Sequence, residues 1–347
     1  MPAPVPHLAI DLSGGLIRIV DGALGGPMRC GSGGTPAASV VGGKIVDVAG
    51  VAGALRQLLA RTEIREGRAM VAISDALATF RVLMVPATTT DSGVDSVVAR
   101  EFPLDPERMG TKWVDVHSNA ERRVIYATAW DRPLIKNVTG VIKAAGLESV
   151  TVDLKSACIA RAVAEPSCIV VDMSSDPVEI FLIDGHIPRV WHSFELTVPI
   201  GEDVAPALAP QLRTVIRFNS RRRDTEFGPR SPILISGEQM PSSQVLTGLS
   251  QLLEHPVEPL RAPARVPDIR YGTYLTCLGL LMRRSQSTAA EKPRRAERTE
   301  RRRPLAEINL LTESRSRPVM ARRGCSHLFG LLAATLAVTI ALWAGLH

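Results

Sequence analysis

The stretch AIDLSGGLIRIV, Ala9 to Val20, decides how this chain is read. An apolar run enters an aspartate, a hydroxyl and two glycines, and a second apolar run follows at once. The pattern predicts strand, tight turn, strand: a β-hairpin with Asp11, Ser13, Gly14 and Gly15 at its tip. A second stretch of similar form starts at Cys168, where CIVV leads straight into Asp172 and Ser174 stands two residues on. Beyond it, Glu179 to Ile183 and His186 to Trp191 flank Asp184-Gly185, a two-residue hairpin signal.

Between these hairpins the apolar spacing predicts a helix over Val51 to Thr62 and a buried strand over Ala69 to Ile73. Polar and glycine-rich sequence up to Gly43 carries no periodic signal. Phe80 to Pro86, Trp113 to Val116 and Val124 to Trp130 read as strands, with a helix near Asp91 to Phe102. Asp131 then reads as the cap of a helix with Pro133 in its first turn, and Ser149 to Leu154 as a closing strand. These elements predict an α+β module inserted over residues 78–154. After the second hairpin come helices over Val204 to Arg223, Leu246 to Leu253 and Tyr271 to Met282. The strand Pro232 to Ser236 runs into Gly237.

Composition narrows the function. The chain has 347 residues, 45% of them hydrophobic and 22% charged, so it has a folded body with a sizeable core. A 4% aromatic share argues against an aromatic platform for single strands or sugars. Five scattered cysteines and seven histidines show neither a zinc knuckle nor metal spacing, and no Ser/His/Asp or Cys/His constellation is visible. The net charge of +6 is local, because Arg283 to Arg323 holds 13 Lys and Arg against 5 Asp and Glu. The remainder holds 28 against 30, so nucleic-acid binding is not a property of the body.

Residues 283–306 read as a basic, self-repelling flexible linker. Leu328 to Leu346 is a run of 19 residues with no charge or proline, which as a helix would span about 28 Å and is read as a transmembrane helix. Arg315, Arg317, Arg322 and Arg323 precede it and only His347 follows, so the body is expected on the cytoplasmic side of the inner membrane. An apolar island, Ile308 to Leu311, interrupts the polar tail.

Blocks spread over about four fifths of the chain resemble the PilM family, cytoplasmic actin-like proteins of type IV pilus assembly, and its relative GspL of type II secretion. They are AIDLSGGLIRIV at Ala9, REFPLDPER at Arg100, IKAAGLESVTVDLKSACIARA at Ile142, CIVVDMSS at Cys168, LRTVIRFNSRR at Leu212, PILISG at Pro232 and DIRYGTYLTCLGL at Asp268. The resemblance implies an α/β, actin-like ATPase fold over residues 1–282 with an inserted SHS2-like α+β subdomain. It also implies a nucleotide site for Mg-ATP at Asp11, Ser13, Gly14, Gly15, Asp172, Ser174 and Gly237. Three departures imply that this site is degenerate: Met173 stands where the family has glycine, with Asp176 beside it; Ser236 to Gln239 reads SGEQ; and Ile200 to Leu212 is too short for the small subdomain that walls the cleft.

In that family PilM grips the amino terminus of PilN, an INLLP-type peptide just before PilN's membrane helix. Here EINLLTE, residues 307–313, stands 14 residues before Leu328 on the same chain. The resemblance therefore implies a fusion, laid out like GspL, with Ile308, Asn309, Leu310 and Leu311 as a docking peptide. The expected function is a non-enzymatic inner-membrane scaffold linking an assembly ATPase to PilN/PilO- or GspM-like membrane proteins, with self-docking or homo-oligomerisation and no nucleic-acid partner. The competing expectation is an actin-like ATPase or ATP-dependent switch in the same machinery.

Overall fold

The fold is seen in a computed structural model that describes residues 8–65, 67–102, 105, 107–174, 177–196, 204–220, 225–238, 240–262, 269–283 and 308–312. β1 (Leu8–Asp11) and β2 (Leu16–Gly22) form the predicted hairpin, with Asp11 opposite Arg18. β3 (Met28–Gly34) extends it, where the sequence showed no strand. The miss has a physical cause: β3 reads MRCGSGG, and glycine is a poor strand signal. Its glycines admit a helix, since a Cβ on Gly31 would lie 2.6 Å from Thr62 Cγ2. A small hairpin, β4 (Val40–Val41) and β5 (Lys44–Ile45), leads into that helix, α1 (Val48–Arg61). Asp47 caps α1 by accepting from the Gly50 N–H. β6 (Arg68–Ile73) then lies parallel to β1.

The inserted module is smaller than expected. β7 (Ala78–Pro86), α2 (Asp91–Glu101), β8 (Met109–Ser118) and β9 (Arg122–Asp131) make a separate sheet in the order β7-β9-β8. The next helix, α3 (Arg132–Ala144), packs against α1, and β10 (Glu148–Leu154) pairs in parallel with β6. Residues 132–154, which the sequence placed in the module, thus complete the first sheet, β10-β6-β1-β2-β3. Asp131 makes no capping bond; its Oδ2 instead accepts from Arg108 at 2.6 and 2.9 Å.

After α4 (Lys155–Ala162) the pattern repeats. β11 (Cys168–Asp172), β12 (Val178–Asp184) and β13 (Ile187–Phe194) form an antiparallel meander. α5 (Ala205–Ser220), β14 (Ile233–Ser236), α6 (Ser243–Leu253), β15 (Val257–Pro259) and α7 (Leu275–Leu281) follow. The second sheet, β13-β12-β11-β14-β15, has the strand order and directions of the first. Each lobe therefore reads βββαβαβα, apart from the small hairpin and the module, and this duplicated arrangement is the actin-like ATPase fold. The β12–β13 turn is shifted by one residue from its signal: Gly185 and His186 take the two positive φ values, +63° and +59°. α4 and α7 cross between the lobes. The residues of the expected membrane helix lie outside the described ones, and no described helix is long and apolar enough to cross a membrane.

Candidate functional site

Both hairpin tips are built alike. The Asp11 carboxylate accepts from the Ser13 N–H at 2.9 Å, and the Asp172 carboxylate accepts from the Ser174 N–H at 2.9 Å. Each aspartate ends the central strand of its lobe, so the duplication brings two buried carboxylates to the cleft between lobes. Gly237, just past β14, has φ +134°, and a Cβ there would lie 2.7 Å from the Met173 carbonyl carbon and 2.8 Å from the Ser174 nitrogen. The structure thus gathers Asp172, Ser174 and Gly237 at the second tip and Asp11, Ser13, Gly14 and Gly15 at the first.

Two cations that sequence reasoning missed sit among them. Arg18, buried on β2, reaches across the cleft: its Nη2 donates to the Ser174 carbonyl at 2.8 Å, and its Nη1 lies 4.0 Å from Asp11 Oδ2. Lys155, the first residue of α4, is 2% exposed, and its Nζ lies 2.6 Å from Asp172 Oδ2 and 2.5 Å from Glu179 Oε2. Glu179 stands opposite Asp172 across the β11–β12 pair, and its other oxygen accepts from Trp191 Nε1 at 2.8 Å. Two neighbouring buried carboxylates would repel each other, and the ammonium between them removes that cost. Burial alone would lower the Lys155 pKa, but Asp172 and Glu179 override it and hold the pKa above the usual lysine range. Burial would raise the Asp172 pKa, and Lys155 reverses this, keeping the carboxylate ionised.

Next to this cluster, Asp75 accepts from the Ser156 N–H at 2.9 Å and from the Ser156 hydroxyl. Its burial raises its pKa to about 7. Met173 does not project into the cleft. Its side chain is buried in the core of the second lobe among Val171, Val178 and Ile235, and its N–H donates to the Ser236 carbonyl at 2.7 Å. Asp176 and Gln239 lie outside the described residues.

A second constellation lies at the outer edge of the first sheet, on β10. Here the segment 308–312 rests against the body. Ile308 and Leu310 are 1% and 2% exposed and join the core that contains Trp130, Tyr126, Val152 and Leu154. The Leu310 N–H donates to the Val152 carbonyl at 2.8 Å, so the segment extends the sheet by one bond. The Asn309 side chain supplies the rest: Oδ1 accepts from the Val152 N–H at 3.2 Å and the Leu311 N–H at 3.1 Å, and Nδ2 donates to the Val150 carbonyl at 3.3 Å. The register of β10 slips at Val150, between Ser149 and Thr151, so the carbonyl that meets Asn309 belongs to a bulge. Leu311 is partly exposed.

The body clamps the segment with two cations. Arg283 Nη1 donates to the Ile308 carbonyl at 3.1 Å and lies 3.4 Å from buried Asp153, which also pairs with Arg161 at 2.7 Å. Lys112, on β8, donates to Thr312 Oγ1 at 2.6 Å, and burial beside Arg283 lowers its pKa. The groove therefore lies between the β10 edge and the inserted module. Among the described residues no cluster of His, Cys, Asp and Glu could hold a metal ion.

No protein-family model and no curated protein sequence matches the chain. Among solved structures it is similar to the PilM–PilN type IV pilus biogenesis complex, with a TM-score of 0.62 and 19% identity. That match covers 80% of this chain and 98% of the other. The chain shares that protein's fold. Looser likenesses include the ethanolamine utilization protein EutJ from Carboxydothermus hydrogenoformans, at TM-score 0.46 and 18% identity over 81% of this chain and 91% of that one. Another is the cytoplasmic domain of EpsL, an inner-membrane component of the type II secretion system of Vibrio cholerae, at 0.42 and 14% over 71% and 93%.

Proposed function

We propose that this chain is a non-enzymatic scaffold of a type IV pilus or type II secretion assembly platform, working at the cytoplasmic face of the membrane. Its β10 groove would hold an Ile-Asn-Leu-Leu segment of PilN type, and its tail would anchor it to the membrane as a single-pass protein. The observation that carries this reading is the two-point reading of Asn309 by the β10 backbone at Val150 and Val152, with Oδ1 also held by the segment's own Leu311 N–H. An aspartate in its place lacks the donor, and a leucine lacks both donor and acceptor. The shared fold with the PilM–PilN complex supports a PilN-like partner, and the assembly ATPase and further inner-membrane proteins are the other partners in this reading.

The residues at the hairpin tips do not fit a magnesium nucleotide in this reading. Lys155 already pairs closely with the Asp172 carboxylate and Arg18 stands 4.0 Å from that of Asp11, placing cations beside both groups that would orient a metal, and only ten residues, 195–204, separate β13 from α5, where the fold family places a cleft wall. The buried Met173 is not part of that obstruction. The chain's melting temperature is accordingly expected to stay within about 1 °C on adding millimolar Mg-ATP, since a ligand at free concentration L stabilises by RT ln(1 + L/Kd), which is negligible when L is far below Kd. A rise of several degrees would favour the second reading, a nucleotide-dependent switch.

The groove is tested with a labelled peptide of residues 303–316 and the full chain carrying Asn309→Ala and Leu310→Asp, which disable its own segment. Saturable binding, lost when the peptide itself carries Asn309→Ala, is the expected result. Absence of binding would remove the docking reading and leave the fold.

A further inference from the structure

Resting on that reading of the groove, we infer that its resident occupant is the chain's own segment 308–312, docked in cis, so that an outside Ile-Asn-Leu-Leu peptide reaches it only by displacement. The geometry at the two ends of the intervening stretch carries the inference. Arg283 is the last described residue of the body and Ile308 the first of the segment, and they are joined by a hydrogen bond of 3.1 Å. The 24 residues 284–307 therefore bridge little more than the length of one arginine side chain, well within the reach of a stretch of that length. Closing a loop of that length costs entropy that grows only with the logarithm of its length.

The consequence is a matter of concentration. A tether of this length gives its ligand an effective concentration on the order of millimolar, which a free peptide at micromolar concentration does not match. The contacts are also those of a seated ligand. Ile308 and Leu310 are as buried as the core around them, and Lys112 and Arg283 both spend donors on the segment's backbone or hydroxyl oxygens. Arg283 serves as both the root of the tether and a wall of the groove, so the occupied state ties the departing chain down. A partner carrying the same motif would have to compete, and its arrival would free residues 308–312 from the body.

The test compares the full wild-type chain with the full chain carrying Asn309→Ala and Leu310→Asp, using the labelled 303–316 peptide at two protein concentrations tenfold apart. The vacated variant is expected to bind, and the wild type to bind at least about tenfold more weakly, by the same factor at both concentrations. Equal binding by the two chains would overturn cis occupancy while leaving the groove in place. A block that fades on dilution would assign the occupant to a neighbouring copy and overturn it equally. If neither chain binds, the groove reading fails and this inference with it. Both substitutions lie outside the body, so a cooperative melting transition in each chain, lower in the vacated variant by the stability that docking adds, would show that the comparison is between folded proteins.

Discussion

Replacing Lys155 by methionine is expected to destabilise the chain by about 3–5 kcal/mol at neutral pH, the usual cost of removing one partner from a buried ion pair. Methionine keeps most of the volume, so the loss is electrostatic rather than a cavity. It leaves Asp172 and Glu179 facing each other across β11 and β12 with no cation between them. For a body of this size the loss corresponds to a fall in melting temperature of about 6–15 °C.

The dependence on pH identifies the cause. In the wild type the Asp172 pKa is lowered, so Asp172 adds stability above the ordinary carboxylate range, and this is lost as the pH falls through its folded pKa. In the variant the same carboxylates lose their cation, and ionising them in the folded state becomes the penalty. The gap between variant and wild type should therefore be widest near pH 7 and narrow below about pH 4–5. A purely steric defect would give a gap that ignores pH. Adding Glu179→Gln to the methionine variant should recover part of the loss, because glutamine still accepts from Trp191 Nε1 without contributing charge.

What the sequence made legible, and what it did not, follows from the range of the forces involved. The hairpin at Ala9 to Val20 and its echo at Cys168 were readable because strand alternation and glycine turns are local properties. The strand β3 was not, because its glycines answer to α1 some thirty residues later. The module's boundary was misplaced for a similar reason: α3 and β10 have the same periodicities whichever sheet they join, and only the pairing with β6 assigns them.

The site divides the same way. Asp11, Asp172 and Asn309 stand in recognisable motifs, but their partners do not. Arg18 could have been suspected, since a charge inside the apolar run LIRIV must find a partner when buried, and so could Lys155 within VTVDLKSACIA. Val150 could not, because a bulge is a fact of register rather than of composition. The direction of the Met173 side chain was not legible either, since it turns to the core of the second lobe rather than to the cleft.

Gly279→Ala is expected to lower stability by about 3 kcal/mol or more, the upper part of the range for overpacking a tight contact. A Cβ at Gly279, built on α7, would lie 2.0 Å from the Cys158 carbonyl oxygen and 2.5 Å from its carbonyl carbon. Both are backbone atoms of α4, so no rotamer change relieves the clash, and the helices must separate. The damage should reach the groove as well. The Gly279 carbonyl accepts from Arg161 Nε at 2.9 Å, Arg161 pairs with Asp153, and Asp153 faces Arg283, which follows α7 by two residues and holds the Ile308 carbonyl. Placed in the chain with the vacated groove, Gly279→Ala should therefore weaken capture of the 303–316 peptide by about tenfold, roughly the worth of one charged hydrogen bond. Gly248→Ala is the control, because nothing lies within 4 Å of a Cβ at that position in α6. There the same substitution should stabilise the helix by up to about 1 kcal/mol and leave capture unchanged. If Gly279→Ala melted with the wild type and captured the peptide equally well, the α4–α7 crossing would not be the rigid joint from which the groove hangs.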